Sequence, residues 1–182
     1  MIYVFLANGF EEIEAIAPID ILRRAELEVT TVGVGGKAIR GSHGITVSAD
    51  IEESKVSPDN VDMLVLPGGM PGTLNLEKSE IVQCFIDFCA QNDKWIATIC
   101  AAPSILGHKG LLNGRRYTCY PGYESQAPGG LYQAGGVLRE GKLITAAGAG
   151  VALPFGLALV SALVSQERAD QLRASLQCSD SI

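Results

Sequence analysis

Short, apolar, β-rich runs alternate with longer helical patterns along almost the whole chain, and this alternation limits the fold more than any other feature of the sequence. Residues 2–7, 28–34, 63–66, 95–99 and 142–146 read as strands, and most of the intervening segments read as helices. Residues 12–24 carry Ile13, Ile16, Ile19, Ile21 and Leu22 at broadly helical spacing, with Pro18 as a point of kinking. Further helices are expected over residues 79–92, 150–164 and 166–176. Parallel strands need long crossovers, usually helical, so the pattern predicts an α/β domain whose mainly parallel sheet is covered on both faces. The segment from Gly36 to Val47 reads instead as a hairpin outside that sheet, with Gly41 and Gly44 as turn residues. No linker, repeat or low-complexity stretch interrupts the 182 residues, so one domain over 1–182 is expected. A chain of this length buries roughly 70% of its unfolded surface.

Composition narrows the function classes. With 47% hydrophobic and 19% charged residues the chain is globular, neither disordered nor membrane-spanning. A net charge of -6 without a basic cluster opposes binding to nucleic acid or an anionic membrane, since Arg115-Arg116 is too short a run to neutralise phosphates. The apolar opening Ile2 to Ala7 lacks a basic flank and soon meets Glu11-Glu12, which fits neither a signal peptide nor a membrane span. A cytoplasmic protein is expected. Five cysteines, Cys84, Cys89, Cys100, Cys119 and Cys178, have no C-x-x-C spacing and are odd in number, so reduced thiols are the expectation.

One of these thiols is placed for chemistry. Cys100 follows the strand Trp95-Ile96-Ala97-Thr98-Ile99 and precedes the small residues Ala101-Ala102-Pro103-Ser104, the sequence form of a nucleophile elbow. Small residues two positions to either side let strand and helix approach, and Thr98 and Ala102 meet that need. At a helix N-terminus the unpaired N–H groups favour an anion, so this thiol is expected to ionise more readily than a free one.

Strand ends in an open α/β sheet line the ligand crevice, so Glu14, after the first strand, can meet Cys100 there. Such a pair works only if the two pKa values are pushed apart, with Glu14 protonated and Cys100 ionised. Periodicity alone makes Glu14 an ordinary first-turn acid, and Glu11 and Glu12 are expected to face solvent. The run Leu66-Pro67-Gly68-Gly69-Met70-Pro71-Gly72 ends another strand in a glycine-rich turn. It is either a tight turn or a device aiming the Gly69 N–H, together with that of Ala101, at a developing oxyanion. Neither a dinucleotide fingerprint nor a P-loop is present.

The remaining candidates read as structural. His108 is expected near the C-terminus of the helix after the elbow and His43 in an exposed turn, with no cluster to support a metal site. Cys84 and Cys89 read as buried inert thiols on different faces of a helix, and Cys178 as part of a polar tail. Cys119 is ambiguous, being either structural or a resolving thiol for an oxidised Cys100.

Three segments in order, Gly9-Phe10-Glu11-Glu12-Ile13-Glu14, Leu66-Pro67-Gly68-Gly69 and Ala97-Thr98-Ile99-Cys100-Ala101-Ala102-Pro103, together resemble the ThiJ/PfpI family. The subgroup containing the parkinsonism-associated deglycase is the nearest in pattern. The likeness extends to Asp20-Ile21-Leu22-Arg23-Arg24-Ala25 and the small-residue stretch from Thr145 to Gly150. It implies a flavodoxin-like three-layer sandwich, usually a homodimer. It further implies Cys100 as nucleophile, Glu14 as its protonated partner and acid/base, and Gly69 and Ala101 N–H groups as anion donors, with Gly68, Tyr120 and Cys119 as possible pocket residues. The implied chemistry needs no cofactor and no metal and acts on small reactive carbonyls or their adducts. Cysteine oxidation sensing or a stress-chaperone role is the alternative. Two positions depart from the subgroup: Tyr120-Pro121 stands where it has a histidine before proline, and Ala147 where it often has an arginine. The expected pocket is therefore less basic. Ala101 rather than histidine after Cys100 disfavours proteolysis, and amidotransfer would need a late histidine and acid.

Overall fold

The computed structural model describes residues 1–178. Seven strands form the central sheet: β1 (Ile2–Leu6), β2 (Val29–Gly33), β5 (Ile51–Glu52), β6 (Met63–Leu66), β7 (Trp95–Ile99), β10 (Val137–Glu140) and β11 (Leu143–Ala146). Their order is β10-β11-β7-β6-β1-β2-β5, and every pair is parallel except β10 with β11. The five expected strands are all present, to within a residue at either end, and the fold is the expected α/β sandwich with a mostly parallel sheet. β1 lies between β2 and β6, so the chain winds outward in one direction and then in the other. The carboxyl ends of β1 and β6 thus form the topological switch point where ligands of such sheets bind.

Helices α1 (Glu12–Arg24), α5 (Ala152–Leu163) and α6 (Gln166–Ser175) pack on one face. Helices α2 (Gly72–Lys78), α3 (Glu80–Gln91) and α4 (Pro103–His108) cover the other. Helix α1 runs continuously through Pro18. Behind it α5 approaches so closely that a Cβ on Gly156 would lie 2.8 Å from Ile21 Cδ1 and 3.1 Å from Pro18 Cα. The hairpin stands outside the sheet as expected, pairing β3 (Ala38–Arg40) with β4 (Thr46–Ser48).

Several elements had no sequence expectation. Helix α2, the short strand β5, the antiparallel edge strand β10 and the small pair β8 (Arg116–Tyr117) with β9 (Leu131–Tyr132) all lack a long periodic signature. No helix among the described residues is long and apolar enough to cross a membrane. All five cysteines are free thiols. Cys84 is exposed rather than buried, because the buried face of α3 is the one carrying Val82, Phe85, Ile86 and Cys89.

Candidate active site

The elbow is real and strained. Cys100 has φ +64°, a left-handed conformation that an L-residue adopts only when its surroundings impose it. They do so through two hydrogen bonds: the Cys100 N–H donates to the Ala146 carbonyl (2.9 Å), and the Cys100 carbonyl accepts from the Tyr120 N–H (2.8 Å). Thr98 and Ala102 are fully buried, as close strand–helix approach requires. The backbone N–H groups of Gly69 and Ala101 face the Cys100 sulfur and favour its ionised form. Gly69 reaches this position at φ +91°, where a Cβ would sit 2.3 Å from the Glu11 nitrogen. Glycine is therefore needed there for both conformation and space.

Glu14 comes from the first turn of α1 and is 1% exposed. It faces the Cys100 side chain, and its Oε2 accepts from the Gly68 N–H at 3.0 Å, with the Ala149 N–H also placed to favour its charge. Gly68 is the wedge between the pair: a Cβ there would lie 2.6 Å from Glu14 Oε2 and 2.7 Å from Cys100 Cβ. The structure thus brings together Cys100, Glu14, Gly68, Gly69 and Ala101, drawn from the ends of β7, β1 and β6.

Electrostatics couple the pair. Burial raises the Glu14 carboxyl to about 7, aided by the charge of Glu11 and opposed by its hydrogen bonds. At Cys100 burial and then the Glu14 charge push the thiol up, and the Gly69 and Ala101 N–H groups pull it down. Each group disfavours ionisation of the other, so the pair holds one proton between them.

The outer residues divide. Tyr120 is 51% exposed and its ring faces Gly148, where a Cβ would contact Tyr120 Cδ2 at 3.4 Å and Glu14 Oε1 at 3.9 Å. Tyr120 therefore borders the site, with Tyr123 edge-on to it. Cys119 is buried in the apolar cluster on the α3 face, whereas Cys100 packs against the α1 and α5 cluster. Burial also raises the Cys119 thiol to about 11, which opposes its use as a resolving thiol. The Ala149 N–H and the opening at Gly148 were not singled out as site features, and the small-residue stretch around them was their one sequence signal.

Glu12 is a second correction. Expected in solvent, it is 6% exposed, with Oε1 accepting the N–H groups of His43 (2.9 Å) and Ile45 (3.3 Å). The hairpin turn folds over it. His43 is exposed as expected, but its ring is 3.1 Å from Glu12 and 3.2 Å from Glu11, so the residues read as unclustered in sequence are clustered in space. His108 ends α4 as expected and bridges Glu77 and Gln126.

A strained cysteine elbow at the switch point of a parallel sheet, hydrogen-bonded to a buried acid, defines a class of α/β cysteine proteins. Within that class the chain belongs to the DJ-1/PfpI family, whose model matches residues 1–162. It is 34% identical to protein dj-1beta of Drosophila melanogaster, over 95% of this chain and 94% of that one. A protein named deglycase from Pyrococcus abyssi is 37% identical over 66% of this chain and 72% of its own. Among solved structures, oxidized DJ-1 of Toxoplasma gondii superposes with a TM-score of 0.93 at 34% identity, covering 97% of both chains.

Proposed function

We propose that the protein is a cofactor-independent cysteine enzyme acting on small reactive carbonyls or their adducts, with Cys100 as nucleophile and Glu14 as acid/base. The observation that carries this reading is the buried pair itself, a carboxyl raised to about 7 facing the thiol of the strained elbow. A base near the working pH is the most effective kind. As the Cys100 sulfur attacks the aldehyde carbon of a 2-oxoaldehyde, Glu14 takes the thiol proton, and the Gly69 and Ala101 N–H groups stabilise the charge that develops. The proton passes to the carbonyl oxygen, giving a hemithioacetal. Glu14 then removes the proton from the former aldehyde carbon and returns one to the neighbouring carbon, leaving a 2-hydroxyacyl thioester. Water releases the hydroxy acid and restores the thiol. The sum is methylglyoxal plus water to lactate and a proton, with no external oxidant or reductant. A deglycase-named relative supports the adduct version of this chemistry.

The test is lactate formation from methylglyoxal without added glutathione. Wild-type protein should turn over, Cys100→Ser should be inactive, and Glu14→Gln should lose at least about 100-fold. An inactive wild type would move the assignment to the second reading, cysteine-oxidation sensing. That reading draws on the oxidized DJ-1 of Toxoplasma gondii, to which this chain is similar, and on the two N–H donors that could hold a sulfinate at Cys100. Its own signature is addition of two oxygen atoms to Cys100, ahead of the exposed Cys84, under dilute peroxide.

We also propose a homodimer formed through α1. Ile13 and Ile16 stand 55% and 42% exposed on that helix, and Ile45 of the adjacent hairpin turn is 58% exposed. Sedimentation of Ile16→Glu should show a monomer where the wild type sediments as a dimer.

A further inference from the structure

We propose, resting on the carbonyl chemistry above, that Glu77 and His108 are positioning residues for the Cys100 site. They form an ion pair that ties together the two short helices whose first turns hold the Gly69 and Ala101 N–H groups. Helix α2 starts at Gly72, just after Gly69, and α4 starts at Pro103, just after Ala101. Each helix is bonded back to the residue that supplies the donor. The Thr73 N–H donates to the Gly69 carbonyl (2.9 Å), and the Ser104 N–H and hydroxyl both donate to the Ala101 carbonyl (3.0 and 2.7 Å). The direction of each helix therefore helps to set where its N–H group points.

The far ends of the same two helices meet. Glu77 lies in the last turn of α2 and His108 ends α4, with Glu77 Oε1 2.5 Å from His108 Nδ1. The other ring nitrogen, Nε2, is 3.0 Å from Gln126 Oε1, in the turn Glu124–Gln126. Both partner atoms are acceptors in this arrangement, so the ring serves both as the imidazolium, each N–H donating. Glu77 first and then Gln126 raise the ring above its ordinary pKa, which favours that form. Lys109 does not compete for the carboxylate, because its Nζ turns to Asp87 (2.7 Å) and Gln83 (3.0 Å) of α3. Gly107 seats the end of α4 on the same turn, since a Cβ there would lie 2.5 Å from the Gln126 carbonyl oxygen. Helices of seven and six residues are too short to hold their shape and direction alone. A charge-assisted bond at their far ends supplies what is lacking, and a Glu77 side chain only 27% exposed keeps it from full screening by solvent.

The experiment follows Cys100 itself: its rate of alkylation by iodoacetamide across pH, read by mass mapping so that the exposed Cys84 does not contribute. The two N–H groups favour the thiolate, so displacing them should move the profile to higher pH. Glu77→Ala and His108→Ala should both shift it that way and slow alkylation at pH 7 by about tenfold, with circular dichroism matching the wild type. Glu77→Gln keeps an oxygen facing the imidazole and should restore most of the rate. Gln126→Ala removes only the outer contact and should give a smaller shift of the same sign. In methylglyoxal turnover the alanine variants should lower kcat and leave KM, because the donors act on charge that develops in the transition state. Opposite shifts in Glu77→Ala and His108→Ala would overturn the proposal, since the field of a lost charge, unlike a lost tie, changes sign between them. An unchanged Cys100 profile in folded Glu77→Ala or His108→Ala would overturn it too, and if neither variant folds, an unchanged profile in Gln126→Ala would do so. A wild type without turnover would count against the carbonyl reading alone, because the alkylation profile does not depend on it.

Discussion

Glu12 and Glu14 lie two residues apart on one helix, both nearly inaccessible to water, yet their carboxyls are driven in opposite directions. Burial raises each of them. At Glu12 the backbone N–H groups around it and the His43 ring more than reverse that push and hold the carboxyl below its ordinary value. At Glu14 the Gly68 and Ala149 N–H groups and the Cys100 side chain do not, and the carboxyl rises to about 7. Exposed area alone therefore says little about an acid's protonation; how deeply the carboxyl is embedded, set against its supply of donors, decides it. The hairpin turn favours the ionised form of Glu12, and the deeper site at the elbow makes Glu14 a proton carrier.

The comparison can be tested first through stability. Glu14 ionises at about 7 folded and near 4.5 unfolded, so the folded state binds the extra proton between those values. Its contribution is complete below pH 4.5 and is lost as pH rises through 7. Glu14→Gln should therefore match the wild type near pH 4 and exceed it by about 3 kcal/mol at pH 8 in denaturant titrations. Equal stability at both pH values would show that the two acids do not differ.

Next in size is Gly68→Ala, whose methyl group would force Glu14 and Cys100 apart. Misplacement on that scale costs about 100-fold in kcat/KM, with the fold retained by circular dichroism. Glu12→Gln should lower stability at pH 7 by about 1–3 kcal/mol through its unbalanced hydrogen bonds. Because the folded Glu12 pKa is depressed, the loss should be present above 4.5 and fade as pH falls through the depressed value. The smallest effect belongs to Glu11→Gln. Removing its charge should move the acid limb of the pH–rate profile slightly downward, since Glu11 raises Glu14.

The sheet and its helices were legible because their signal is local: the strand at Trp95–Ile99 and the helix at Glu12–Arg24 are written in the period of their own residues. Cys100 was legible for a related reason, since a strand breaking into small residues can turn only sharply. Glu12 was misread because its burial is caused by Gly41, Ser42 and His43, some thirty residues away. At Cys100 the elbow is local, but the carboxylate facing it arrives on α1, and no spacing rule reports their meeting. The Ala149 N–H was hidden because a backbone donor has no residue identity to read.

Gly156 sits on a helix that no substrate need touch, yet it lets α5 press against α1 at Pro18 and Ile21, one and two turns along the same face that carries Glu14. A side chain at position 156 would act as a wedge against that face, so the seating of the acid depends in part on a residue that never meets it.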